Sequence, residues 1–372
     1  MKTVNGHEII QLFERFAPKS YMMEGDKVGL QIGKLNQKVE RVMVALDVLE
    51  EVVDEAIEKK VQLIIAHHPL IFRPLASIRT DETYGRMIEK LIKHDIAVYA
   101  AHTNLDVAPG GVNDLLAEAL DLKDTKVLVP TLERPLKKLV VFAPQEDADN
   151  IRAALGKAGA GSLGNYSHCS FSFPGTGRFL PGQDADPHIG APGVPESVPE
   201  ERIEVIFPQE LEKKVITAML KAHPYEEVAY DLYSLENKEE TLGLGRIGNL
   251  PEEMTLKEFA EFVKERFSVQ GVRVVGKLED KVRKVAVLGG DGNKYFKSAK
   301  FNGADVYVTG DFYYHTAHDA MMAGLNVVDP GHNIEKVMKS GVAQKMAKLC
   351  GEKGYKVEFL VSEVHTDPFT FL

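Results

Sequence analysis

The sequence predicts an α/β fold: a split core of helices and largely parallel strands, with a ferredoxin-like α+β domain inserted in its middle. Three observations carry this. Short apolar runs alternate with helix-length segments through the first third. The same alternation resumes in the last third. Between them the order changes to β-α-β-β-α-β, that of a complete small domain. The expected parts are residues 1–130 (core, first half), 131–237 (insertion) and 238–372 (core, second half). At 372 residues the chain exceeds one typical domain.

In order, Gly6–Phe16 reads as an amphipathic helix that Pro18 stops. Strands Arg41–Asp47, Val61–Ala66 and Ile96–Ala101 follow, separated by helices Glu50–Lys59 and Glu82–His94; a helix over Gly111–Leu120 closes the first third. The middle third holds strand Lys138–Ala143, helix Glu146–Ala158, a strand over His168–Phe173, strand Arg202–Phe207, helix Gln209–Ala222 and strand Glu226–Leu235. Its Gly/Pro/Ser-rich stretch from Gly161 to Pro199 predicts long loops, which are mobile or functional. The last third alternates helices Leu256–Phe267, Tyr295–Asn302, Tyr313–Ala323 and Val337–Lys348 with strands Lys284–Leu288, Ala304–Thr309, Leu325–Asp329 and Lys356–Val361. The outer thirds are read as one split domain, because neither carries a self-contained site.

Composition narrows the function. A formal net charge of -10 argues against a broad grip on nucleic acid, which needs a basic surface. Two cysteines, Cys169 and Cys350, exclude a disulfide framework and a cysteine-based zinc site, and they suit a reducing compartment. The opening Met1–Glu8 lacks the apolar run of a signal peptide, and no stretch approaches a spanning helix. Cytoplasm is the expectation, with no membrane partner.

The chemistry-bearing residues cluster where apolar strands end, as ligand sites of open α/β sheets do. Ala66-His67-His68-Pro69 follows one strand, His102-Thr103-Asn104-Leu105-Asp106 the next, and Asp329-Pro330-Gly331-His332-Asn333-Ile334-Glu335 a third. Adjacent histidines on a strand point to opposite sides, so two ligands at 67–68 require a bend or two ions. Asp106 could bind one ion or bridge two, or simply order a turn. His332 and Glu335, three apart on a helical start, share a face. Such mixed N/O sets suit zinc, manganese, iron or nickel. His315, after the strand ending at Gly310-Asp311, is a candidate for moving protons, while His318 reads as solvated. Gly289-Gly290-Asp291-Gly292 lacks phosphate-loop spacing and reads as a tight turn. His223 is adequately explained by a helix stop, and Cys169 beside His168 reads as a buried thiol.

Together, Gly29–Gly33, Ala66–Phe72, His102–Asp106, Gly303–Asp311 and Gly331–Glu335 resemble the Nif-three-like family, whose members are often labelled type-2 homologues of GTP cyclohydrolase I. The middle third is similar to the PII/CutA-like insertion of its long bacterial members. Two departures from the family pattern stand out. Gly25-Asp26-Lys27 replaces the usual Trp-Asp-Asn, and Glu335 follows His332 by three residues where relatives often have four. The resemblance implies a centre of two divalent ions, zinc first among the candidates, ligated by His67, His68, Asp106, His332 and Glu335. It also implies a toroidal homohexamer built as a dimer of trimers. The expected activity is metal-dependent hydrolysis of a small nucleotide-like substrate such as GTP, with His102 or His315 moving protons. The alternative is a non-catalytic metal-handling or regulatory protein.

Overall fold

The computed structural model describes residues 4–372, the side chains of 238–240 excepted. The first three residues of the opening segment read above lie outside that range. The chain forms two compact units: residues up to Leu132 together with Leu242–Leu372, and Glu133–Thr241.

In chain order the strands are β1 (Gly29–Ile32), β2 (Arg41–Ala45), β3 (Leu63–Ala66), β4 (Ala97–Ala100), β5 (Lys123–Pro144), β6 (Phe171–Phe179) and β7 (Glu196–Pro208). They continue with β8 (Tyr230–Thr255), β9 (Arg273–Val275), β10 (Lys281–Asp291), β11 (Val306–Gly310), β12 (Asn326–Asp329) and β13 (Glu358–Val361).

The first unit contains a sheet in the order β1-β4-β3-β2-β13. β4, β3, β2 and β13 run parallel, and β1 is an antiparallel edge. The residues of β3 and β4 are wholly buried, which is why those strands read as unbroken apolar runs. Register matters most here. Ala45, Ala66 and Ala100 lie side by side, so the segments that follow them leave the sheet together. In the last third, β10, β11 and β12 are parallel and flanked by antiparallel β8 and β9. Apolar side chains of both sheets, including Val44, Ile65, Val287 and Val308, share one core with the helix Gly6–Phe16. That helix is started by a reciprocal Asn5–Glu8 capping box.

The second unit pairs β6, β7 and β5 antiparallel, with β8 next to β5. The helices Ala148–Ala158 and Glu212–Ala222 join Leu139, Val141, Ile203, Val205 and Phe207 in its core.

Several elements differ from the sequence reading. β1 and β9 are too short to show a period. Thr103–Val107 forms a short helix, for which the sequence reading assigns no element. His332–Lys336 is a 3₁₀ turn. Cys350 is buried, while Cys169 is only half-buried. His223 fills the predicted helix-stop role: its Nε2 bonds the Phe142 carbonyl and its Nδ1 accepts from the Tyr225 N–H.

Candidate metal centre

The in-register exit of β2, β3 and β4 brings Asp47, His67, His68 and His102 together. Backbone bonds from His67 and His68 to Ala45 and Leu46 carry the ladder just past Ala66, where the chain bends. Both rings then enter one cluster, with centroids 5.0 Å apart. His102 lies 5.4 Å from His67 and 5.8 Å from His68, and His332 lies 5.1 Å from His68. Glu335 reaches the cluster from the same 3₁₀ turn as His332. With three residues per turn, positions i and i+3 eclipse, so the three-residue interval stacks imidazole over carboxylate.

Every one of the four imidazoles is tied through Nδ1. His67 Nδ1 bonds the Ala101 carbonyl at 2.9 Å, His68 the Asp47 carboxylate at 2.6 Å, His102 Asp26 at 2.8 Å and His332 Asp311 at 2.7 Å. With Nδ1 donating outward, a neutral ring turns the Nε2 lone pair inward. There it meets carboxylate oxygen. Glu335 Oε2 lies 3.1 Å from His68 Nε2, 3.2 Å from His332 Nε2 and 3.6 Å from His67 Nε2, and Asp106 Oδ1 is 3.6 Å from His67 Nε2.

His67 is fully buried, and its Nε2 and the Asp106 Oδ1 have no hydrogen-bond partner. An unsatisfied buried polar group costs about 1–3 kcal/mol, so two facing each other call for a cation. The separations fit one: donors about 2.1 Å from a shared ion lie roughly 3.0–3.4 Å apart. Three triads of this cluster have ligand atoms within 4.8 Å of one another and could hold metal: His67–His68–His102, His68–His332–Glu335 and His67–Asp106–Glu335.

The electrostatics agree. Burial opposes charge on His68, but its bonds to Asp47 and Glu335 outweigh it and raise its pKa to about 10. His332 rises to about 9 against the same opposition, through Glu335 and Asp311. Burial pushes the Asp106 carboxyl up to about 6. Glu335 is held well below the usual range, the surrounding imidazoles overcoming its burial. Among the described residues, no Lys or Arg pairs with Asp26, Asp47, Asp106, Asp311 or Glu335. Without a metal, only protons on imidazole balance this charge.

Asp26, Asp47 and Asp311 escaped the sequence reading, since a lone Asp near a turn gives no signal of its own. Asp26 also accepts from the Thr103 N–H and hydroxyl, which fixes the helical turn bearing Asp106. Asp311 holds its position at φ 53, a left-handed conformation uncommon for a non-glycine. The Gly289-Gly290 pair has a different task from the expected plain turn. A Cβ there would come 2.9–3.0 Å from Glu335 Oε1, so glycine leaves room for the carboxylate. His315 is not gathered in. It is exposed on the helix Tyr314–Met322, with its ring against Tyr314.

Above the cluster opens a cleft of about 840 Å³. Its walls include Phe72 and Phe369, both largely exposed, with Leu288, Lys294 and Asn333. Thr366, from the C-terminal segment, reaches in to donate to Asp47 at 2.5 Å.

The chain matches the Duf34/NIF3 (NGG1p interacting factor 3) family profile over residues 4–368. It is 63% identical to the Bacillus subtilis protein named GTP cyclohydrolase 1 type 2 homolog and 60% identical to the protein of that name from Halalkalibacterium halodurans, with all of each chain covered. Among solved structures, it is similar to a Bacillus cereus protein related to NIF3 (63% identity, TM-score 0.94) and to Staphylococcus aureus protein SA1388 (32%, 0.82), again over the full length of both chains. No helix among the described residues is long and apolar enough to cross a membrane. The extent of these matches settles descent: the chain belongs to the Duf34/NIF3 family.

Proposed function

We propose that the cluster is a dinuclear metal centre and that the protein is a metal-dependent hydrolase of a small nucleotide-like substrate. The observation that carries this reading is the pair of buried, partnerless acceptors on His67 and Asp106, ringed by imidazoles anchored through Nδ1. His67, Asp106 and Glu335 would hold one divalent ion. His68, His332 and Glu335 would hold the other, with zinc the first candidate. His102, tied to Asp26 beside His67 and His68, would either join the ligands or move protons at the centre. His315, outside the cleft, has no support for a catalytic role.

Bound there, such ions lower the pKa of water and polarise the bond under attack. The chain supplies the rest. Lys294, without an ion pair among the described residues, is placed to meet phosphate. Phe72 and Phe369 offer faces to a planar base. For GTP the chemistry would be hydrolysis at C8 of guanine with release of formate. This lined cleft favours a substrate over simple metal carriage. For the second unit, the strand order β8-β5-β7-β6 supports a ferredoxin-like (PII/CutA-like) assignment. The exposed Phe301, Tyr314 and Met322 suit burial in the expected homohexamer.

The test is elemental analysis and a nucleotide panel, GTP included, on metal-reconstituted wild type and His67→Ala. Metal and turnover should both fall in the variant. Equal metal content defeats the ligand assignment. Equal rates on every compound defeat the hydrolase, and a metal-loaded wild type inert toward all of them leaves the carrier reading.

A further inference from the structure

We propose that the second unit carries a binding site for a free amino acid in its zwitterionic form, on the sheet face opposite its helices. Glu200 takes the ammonium group and Arg202 the carboxylate.

The register builds this site. Odd-numbered Leu139, Val141, Ile203 and Val205 face the helices, so even-numbered Glu200 and Arg202 on β7 face away. Arg202 lies between its cross-strand neighbours Phe142 and Phe173, its guanidinium 5.7 Å from each ring centroid. Its Nε donates to Glu204 at 3.0 Å, and Lys138 takes the other oxygen of Glu204 at 2.8 Å. That fixes the guanidinium plane, while its terminal nitrogens find no partner among the described residues.

Glu200 stands two residues away, about 6.7 Å along the strand, and is buried to 8% exposure. One oxygen accepts from the Tyr225 hydroxyl at 3.0 Å; no donor reaches the other among the described residues. Gly177 leaves this carboxylate uncovered, because a Cβ there would approach it to 2.3 Å. Glu200 and Arg202 do not pair with each other. Both line a cleft of about 1190 Å³ roofed by the 180–189 loop, with Phe179, His188 and Tyr225 in its wall.

A lone arginine would indicate an anion and a lone glutamate a cation. Arg178, Asp184, Glu226 and Glu227 also line the cleft but are exposed; the two opposite charges set into the sheet face, Glu200 and Arg202, held apart from each other, indicate a ligand bearing both. The aromatic wall adds a place for an apolar or aromatic side chain.

The experiment is calorimetric titration of the full-length protein with the twenty standard amino acids, with phenylalanine expected tightest. Phenethylamine, which lacks the carboxylate, and 3-phenylpropanoate, which lacks the ammonium, should each bind at least ten-fold more weakly. Glu200→Gln and Arg202→Met should each cost at least ten-fold. Gly175→Leu, at a position where a Cβ meets nothing within 4 Å, should block the cleft while leaving both charges and the melting temperature in place. Metal content should stay at the wild-type level in all three. Equal binding of either truncated compound overturns the proposal. So does binding unchanged in the variants, or no binding of any amino acid to the folded wild type.

Discussion

The two clefts use charge in opposite ways. At the candidate metal centre, imidazole lone pairs and carboxylate oxygens point at one another, and five carboxylates surround four rings with no Lys or Arg paired to them among the described residues. On the sheet face of the second unit, Lys138, Arg202 and Glu204 largely neutralise each other, and a guanidinium edge of Arg202 and a carboxylate oxygen of Glu200 stay unpaired among the described residues. Converging acceptors with no donor specify a cation. Separated opposite charges specify a molecule that carries both. The distinction rests on where the donors are, and total charge alone would not reveal it.

The contrast breaks first at Glu335. Glu335→Gln removes the charge that faces three imidazoles, and bound metal should fall at least ten-fold; elemental analysis showing full occupancy would refute the shared-ligand arrangement. The pH dependence comes next. Metal-free, His68 and His332 keep their protons up to about 10 and about 9, against about 6.5 for an ordinary imidazole. Metal must displace those protons, so apparent affinity should rise about ten-fold per pH unit for each proton released, from pH 6.5 toward 9. The metal-free protein should do the reverse. Folded-state pKa values raised above the unfolded ones give stability fully present below about 6.5 and lost as pH climbs through 9 to 10. Melting curves of the metal-free and metal-loaded protein should therefore diverge with rising pH, and parallel curves would contradict the ion-pair account.

Smaller effects sharpen the picture. Asp26→Asn and Asp47→Asn keep a side chain that bonds imidazole but lose its charge, and each should weaken metal binding about 10–100-fold. Competition with a chelator would show it, and Glu200→Gln in the same assay should change nothing. Gly290→Ala, at φ 66 and close to Glu335, should lower the stability of the metal-free protein by about 1 kcal/mol, read from denaturant midpoints.

Much of the candidate site was legible because its residues end strongly apolar strands. The burial that makes β3 and β4 stand out in the sequence also sets His67, His68 and His102 side by side. The anchoring carboxylates were not legible. Asp26 reaches His102 across 76 residues and Asp47 reaches His68 across 21, pairings that depend on sheet register. The three-residue spacing of His332 and Glu335 departs from the four often found in relatives, and a 3₁₀ turn, in which such positions eclipse, brings the two side chains together. His315 misled because it follows a strand end as the others do, yet its helix turns it to solvent. Nor could local pattern show that the last third lends β13 to the sheet of the first.

That loan has a cost in time. β2 is an apolar strand with β3 on one side, and its other edge stays unpaired until β13 arrives. Arg41 and Glu358, partners across that edge, are 317 residues apart. At about 5–20 residues per second of synthesis, the nascent chain carries an open hydrophobic edge for roughly 15 to 60 s, long enough for chaperones or neighbouring chains to engage it. His332 and Glu335 emerge only shortly before β13. Any capture of metal at the complete cluster would therefore be deferred until translation is nearly finished.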